Sequence, residues 1–185
     1  EIYSKIIFNK INYVSLVKYN NLFKNLIIMD GLSKSCAMTG WRLGWGIFPD
    51  EIIEKAEKFC VNTFSCVNNF TQYAAIEALS GSQINISKMT KSFYKRSKII
   101  TKGLNEINGF SCKSPSGAFY CYPNIEKTGY SADFIEKLLL NELGIAVLSG
   151  NNFGENNENY IRISYASKEQ NLKIALKKMK SFFNK

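Results

Sequence analysis

The segment Asp30-Gly31-Leu32-Ser33-Lys34-Ser35-Cys36-Ala37-Met38-Thr39-Gly40-Trp41-Arg42-Leu43-Gly44-Trp45 sets one Lys and one Arg eight positions apart among Gly and small residues. A half-buried lysine has a lowered pKa and serves as an amine nucleophile or a base. An arginine beside it suits an anion, because its planar fork grips phosphate or carboxylate with two parallel bonds. The segment follows the apolar run Leu26-Ile27-Ile28-Met29, which reads as a buried strand. It therefore falls at a strand's carboxyl end, where open α/β sheets place ligands. Spacing alone leaves a plainer reading open, in which Lys34 is a surface cation and Arg42 a structural one.

Composition narrows the chemistry further. The 185 residues contain no His, which excludes Ser-His-Asp and Cys-His catalytic pairs, His-ligated metals and His proton shuttling. A base here must be Lys, Tyr, Cys or a carboxylate, or belong to a cofactor. The five cysteines, Cys36, Cys60, Cys66, Cys112 and Cys121, form no C-x-x-C. They read as free thiols of a reducing cytoplasm, with no metal site expected. There is no run of 18 apolar residues and no secretory core, so no membrane association is expected. The net charge of +9 invites a nucleic-acid reading. The lysines are scattered, however, and form no groove-sized stripe, so nucleic acid is not an expected partner. Of the 24 cations only Arg42, Arg96 and Arg162 are arginine, which makes those three positions informative. Arg96 matches no motif and reads as a solvated helix-face cation.

The elements that must position these residues fall into two regions. Up to about Ser80, strand-like runs at Lys5-Ile6-Ile7-Phe8, Leu26 to Met29 and Gly44 to Phe48 alternate with helices. The helices are expected from Pro49-Asp50 to about Asn62 and from Thr71 to Leu79, the latter with Tyr73, Ala74, Ile76 and Leu79 as apolar contacts. Strands alternating with helices point to an α/β layer. Beyond Gly81, Ile86, Met89, Phe93, Ile100, Leu104 and Ile107 follow helical spacing up to Asn108-Gly109. Strands are expected at Phe110 to Lys113, Ala118 to Tyr122, Ile145 to Leu148 and Tyr160 to Tyr165. A helix from Ser131, as N-cap, to Leu143 stops at Gly144, and an amphipathic helix from Lys168 to Phe183 closes an α+β unit. The chain opens without a Met at the strand-like Glu1-Ile2-Tyr3, and is expected to be part of something longer.

Ser33-Lys34, Met38-Thr39-Gly40-Trp41-Arg42 and Gly44 spell S-K-x-x-x-M-T-G-W-R-x-G. This resembles the lysine segment of class I aminotransferases, which use pyridoxal 5′-phosphate. Glu1-Ile2-Tyr3 resembles the end of that family's D-E-x-Y strand. Gly117-Ala118-Phe119-Tyr120 resembles its G-A-F-Y strand, and Tyr160-Ile161-Arg162-Ile163-Ser164-Tyr165-Ala166 its Y-x-R-x-S-x-A strand. The resemblance is to the carboxyl-terminal half of an aspartate/aromatic-type member. It implies an α/β, fold type I architecture, with residues 1–80 the remainder of the large cofactor-binding domain. Residues 81–185 would be the small domain, starting with a long interdomain helix.

The resemblance also implies roles. Lys34 would hold the cofactor as a Schiff base and then act as the proton-transfer base. Arg42 would grip the cofactor phosphate, Tyr3 would hydrogen-bond the ring oxygen, and Arg162 would clamp the substrate α-carboxylate. The implied substrates are an L-amino acid, of aspartate or aromatic type, and a 2-oxo acid, and the full-length protein would be a homodimer. Another cofactor-dependent reaction on the same fold, a β-lyase or synthase, or a non-catalytic or regulatory module, are the alternatives. The sequence departs from the family at Gly31, where a Ser often stands, and at Ser149, where a Pro is usual before Gly150. Val67-Asn68-Asn69-Phe70 falls where the family approaches the partner subunit's site. The carboxylate that holds the pyridine nitrogen directly precedes Glu1 in the motif. The ring-stacking aromatic and the phosphate loop also lie upstream, so these residues alone are expected to be inactive.

Overall fold

A computed structural model of the chain describes residues 1–8, 11–19 and 24–184. Two compact units are present, Glu1–Thr90 and Lys91–Lys185.

In the first unit, strand β1 (Ile28–Gly31) pairs antiparallel with β2 (Gly44–Ile47). A one-turn helix, α1 (Leu32–Ser35), follows β1 directly. Helices α2 (Asp50–Phe64) and α3 (Asn69–Ser80) come next. Asp50 and Glu51 occupy the first turn of α2, where the exposed N–H groups favour negative charge. The Asn68 side chain caps α3 by accepting from Phe70 N. The buried apolar residues of the unit are Ile6, Phe8, Ile28, Leu32 and Ala75.

Two expectations are corrected here. Glu1 to Lys5 form hydrogen-bonded turns rather than a strand, with Ser4 N donating to Glu1 O and Ile6 N to Tyr3 O. The apolar run is buried through Ile6 and Phe8 without a ladder. On α3 the residues buried are Thr71 and Ala75, whereas Tyr73, Ile76 and Leu79 are exposed. Helix α3 carries apolar residues on every side, so periodicity cannot pick its inner face.

Helix α4 (Ile84–Leu104) contains the division between the units. In the second unit, β3 (Tyr120–Cys121), β4 (Leu148–Ser149) and β5 (Ile161–Ser164) form an antiparallel sheet with β5 in the centre. Helices α5 (Ala132–Leu143) and α6 (Glu169–Phe183) complete it. Ser131 Oγ accepts from Phe134 N at the start of α5, and Gly144 ends it at φ 65°, a left-handed position that glycine adopts without strain. Ile135, Leu139, Ile161, Tyr165, Leu172 and Met179 pack the interior with Phe93, Ile100 and Leu104.

Several sequence-based strand runs shrink in this unit. Phe110 to Lys113 gives a single bridge, Ser111 to Asn124, and the other pairs are two residues long apart from β5. Arg96 is half-buried rather than solvated. Its guanidinium lies 5.5 Å from the Phe93 ring centroid, and its Nε is buried without a hydrogen-bond partner among the described residues. A hydrogen bond with the Cys112 thiol, together with burial, pushes the Cys121 thiol far above its ordinary range. The same hydrogen bond lowers the Cys112 thiol, and both cysteines are buried in the core.

Leu139→Ala removes a fully buried side chain that α5 contributes to this interior. A destabilisation of about 2–5 kcal/mol is expected. Hydrogen exchange should show it as faster amide exchange across α5 and α6, with β1 and β2 unaffected.

Candidate active site

In the first unit, Gly31 and Gly44 are register partners in the β1–β2 pair. A Cβ on Gly44 would sit 2.9 Å from the Asp30 carbonyl oxygen. One on Gly31 would sit 3.0 Å from the Leu43 carbonyl and 3.1 Å from Gly44 Cα. Two backbones approach this closely only where neither carries a side chain. The absence of a serine at position 31 therefore has a packing reason.

The chain then turns at once into α1. Leu32 is buried and anchors the turn, while Cys36 N and Met38 N both donate to its carbonyl. Ser33 and Lys34 are left half-buried on the outer side of this turn. A 3₁₀ turn at Thr39–Trp41 leads to Arg42, which is held at φ 55°, ψ 49° in the left-handed region. Arg42 Nη1 donates to Thr39 O at 2.8 Å, and the residue is exposed.

These elements enclose a cleft of about 260 Å³ lined by Ile2, Asp30, Gly31, Ser33, Arg42, Leu43 and Gly44. The Asp30 carboxylate accepts from Gly31 N at 2.7 Å, so its charge is engaged at the strand end. Ser33 and Arg42, nine positions apart through the turn and loop, thus face one space, with Lys34 on the next residue. Tyr3 is half-buried in the turn beside Ile2. Arg42 also borders a wider cleft of about 950 Å³, where Trp41 meets Phe70 edge-on at 6.2 Å beside Asn68.

Arg162 belongs to the second unit, on the central strand β5. It lies opposite Leu148 of β4, and Ser164, two residues on, lies opposite Tyr120 of β3. Tyr120 is therefore the diagonal neighbour of Arg162 on one face. The guanidinium carbon is 4.6 Å from the Tyr120 ring centroid and 4.3 Å from that of Phe153. Phe153 ends a 3₁₀ turn, Gly150–Phe153, that follows β4. Burial and the neighbouring Tyr160 raise the Tyr122 phenol above its ordinary range, against the pull of Arg162. The G-A-F-Y motif contains Tyr120, but its contact with Arg162, like that of Phe153, is not visible in the motif. The available signal was the two-residue alternation of the strands, which needs the register before it names a neighbour.

Among the described residues, no group of three or more His, Cys, Asp or Glu is placed to hold a metal ion, and no helix is long and apolar enough to cross a membrane.

The architecture is α/β, of the fold type I seen in aspartate and aromatic aminotransferases. The aromatic aminotransferase of Pyrococcus horikoshii superposes with a TM-score of 0.94 at 36% identity, over 99% of this chain and 49% of that one. The aspartate aminotransferase of Rhizobium meliloti gives 0.92 at 29% identity, over 99% and 48%. The chain belongs to the class I and II aminotransferases, whose family model matches residues 1–179. Among curated relatives, the aspartate aminotransferase of Pyrococcus abyssi is 38% identical over 97% of this chain and 46% of its own length. The aromatic-amino-acid aminotransferase 2 of Thermococcus litoralis is 34% identical over 97% and 46%. The chain thus spans about half the length of the relatives it matches.

Gly44→Ala forces the Asp30 carbonyl away from its place in the pair. We expect a cost of about 1–3 kcal/mol, concentrated at the β1–β2 crossing. The check is amide exchange at Asp30, Gly31 and Leu32, which should speed up while α5 stays protected.

Proposed function

We propose that this chain supplies the lysine and both anion-binding arginines of a transaminase that moves an amino group between an L-amino acid and a 2-oxo acid. Pyridoxal 5′-phosphate is the cofactor, and the donor is of the aspartate or aromatic type. The observation that carries this reading is the β1–α1–β2 arrangement, which sets Ser33 and Arg42 on one cleft with Lys34 beside them, in a chain of this family. Residues 1–80 are assigned to the large domain and residues 81–185 to the small one. A homodimer in the cytoplasm, without nucleic acid or membrane, is the proposed setting.

The residues fit a phosphate-bearing cofactor. Arg42 has fork donors beyond the one given to Thr39, Ser33 offers a hydroxyl, and the bare backbone at Gly31 and Gly44 admits a close approach. Pyridoxal phosphate, when bound, supplies the electron sink that makes the substrate Cα proton removable. Lys34 Nζ would hold the cofactor and, once released by the incoming amine, would move the proton between the substrate Cα and the cofactor carbon. A lysine serves both purposes because its neutral amine is nucleophilic and basic. Arg42 holds the phosphate, and Tyr3 donates to the ring oxygen. Arg162 orients the substrate by its α-carboxylate, and on this reading its unspent donors receive that group.

Borohydride reduction of the cofactor-loaded full-length protein should fix the cofactor mass on the peptide containing Lys34. Labelling of a different lysine would refute the assignment. Lys34→Ala removes both the attachment and the base, and turnover should fall by at least about 10²–10⁴-fold.

Arg162→Lys keeps the charge and loses the fork. Its kcat/KM should drop about 10- to 100-fold, since hydrogen bonds to charged groups are worth about 1.5–3 kcal/mol. Cofactor affinity should stay unchanged, and unaltered kinetics would assign the carboxylate to another group.

A further inference from the structure

The Arg162 guanidinium is held by ring faces and not by hydrogen bonds. Its contacts are the Tyr120 and Phe153 rings, at 4.6 and 4.3 Å. Among the described residues it forms no hydrogen bond and no ion pair. A flat delocalised cation gains from ring faces while its N–H edge stays available, which an ammonium on a flexible stem does not reproduce.

The two rings are themselves fixed. Tyr120 stands on β3, placed by the Tyr120–Ser164 register. Phe153 is met edge-on by Tyr122 at 6.3 Å and 86°, and Tyr122 stacks on Tyr160 at 5.1 Å and 3°. The turn that carries Phe153 is tied to α5 at two points. Ser149 N donates to Glu136 Oε2 at 2.9 Å, and Asn151 Nδ2 donates to Asp133 Oδ2 at 3.0 Å. At its start Gly150 N donates to Tyr160 O at 2.8 Å, and a Cβ there would collide with the Asn157 and Tyr160 carbonyls.

We infer that Tyr120 and Phe153 are positioning residues for the carboxylate-binding arginine. They set the plane of the Arg162 fork before substrate arrives, so that its paired N–H groups meet a carboxylate edge-on. Position 162 then requires the planar cation for two reasons: the bidentate grip and the ring contacts that aim it. This inference rests on the reading of Arg162 as the group that binds the substrate carboxylate.

The test uses the full native chain loaded with pyridoxal phosphate, and compares Phe153→Leu, Tyr120→Leu, Phe153→Tyr and Arg162→Lys. Each leucine variant should raise KM for the amino acid by about 3- to 10-fold, the worth of one ring contact, with kcat changed less than about 2-fold. Inhibition by succinate, a carboxylate without an amine, should weaken in parallel. Phe153→Tyr, which keeps a ring, should restore both values. Wild-type KM in the leucine variants, with KM raised in Arg162→Lys, overturns the positioning inference alone. Unchanged KM in Arg162→Lys overturns the carboxylate reading beneath it. If a leucine variant fails to fold, arginine-selective nitrogen-15 NMR of the unmodified protein decides the matter. Ring currents should move the Arg162 Nε–H proton upfield of the other arginines, and an ordinary shift refutes the inference.

Discussion

The close crossing of β1 and β2 at Gly31 and Gly44 governs where chemistry can occur in the first unit. A Cβ at either glycine would crowd the facing backbone, and directly after Gly31 the chain leaves β1 as the single turn that carries Ser33 and Lys34. Gly44, the register partner of Gly31, opens β2, and Arg42 lies two residues before it. Lysine and arginine are thus brought to one strand end by the path of the main chain from β1 through α1 to β2. Buried Leu32 closes the turn from beneath.

Helix ends were legible in the sequence because caps are local. Ser131, Gly144 and the Asp50-Glu51 pair each act on backbone groups within one turn. Strand extents were not legible, because a ladder depends on a partner elsewhere in the chain. Lys5 to Phe8 has the apolar character of a strand, yet Ile6 and Phe8 reach the core with no more than an isolated bridge at Ile7. The inner face of α3 was misread for a related reason, since its apolar residues mark no single side and only its neighbours show which are covered. At the site, Lys34, Arg42 and Arg162 stood out by residue type and motif. The aromatic surroundings of Arg162 did not, since they follow from a two-residue diagonal across β3 and β5 that exists only once the register is set.

The two units hold themselves together differently. In the second, β5 alternates buried Ile161 and Ile163 with outward Arg162 and Ser164, and the same strand serves core and candidate site. Tyr165, fully buried, donates to the Ala118 carbonyl and accepts none of the functional burden. Its phenol is held above the ordinary tyrosine range by burial, so it stays neutral. In the first unit α2 buries no residue, and the short list of Ile6, Phe8, Ile28, Leu32 and Ala75 carries the interior. Mutational tolerance should therefore be judged against different neighbours in the two units.

Arg42 sits in a left-handed backbone conformation that costs a residue with a Cβ about 1–2 kcal/mol relative to glycine. The loop keeps that residue anyway and ties its side chain back to Thr39. A library ranked on melting temperature alone would read position 42 as an easy improvement and enrich glycine there, discarding the fork that gives the cleft its charge. Screens for robustness on this scaffold need a ligand-dependent readout at that position, because heat resistance and anion recognition pull on it in opposite directions.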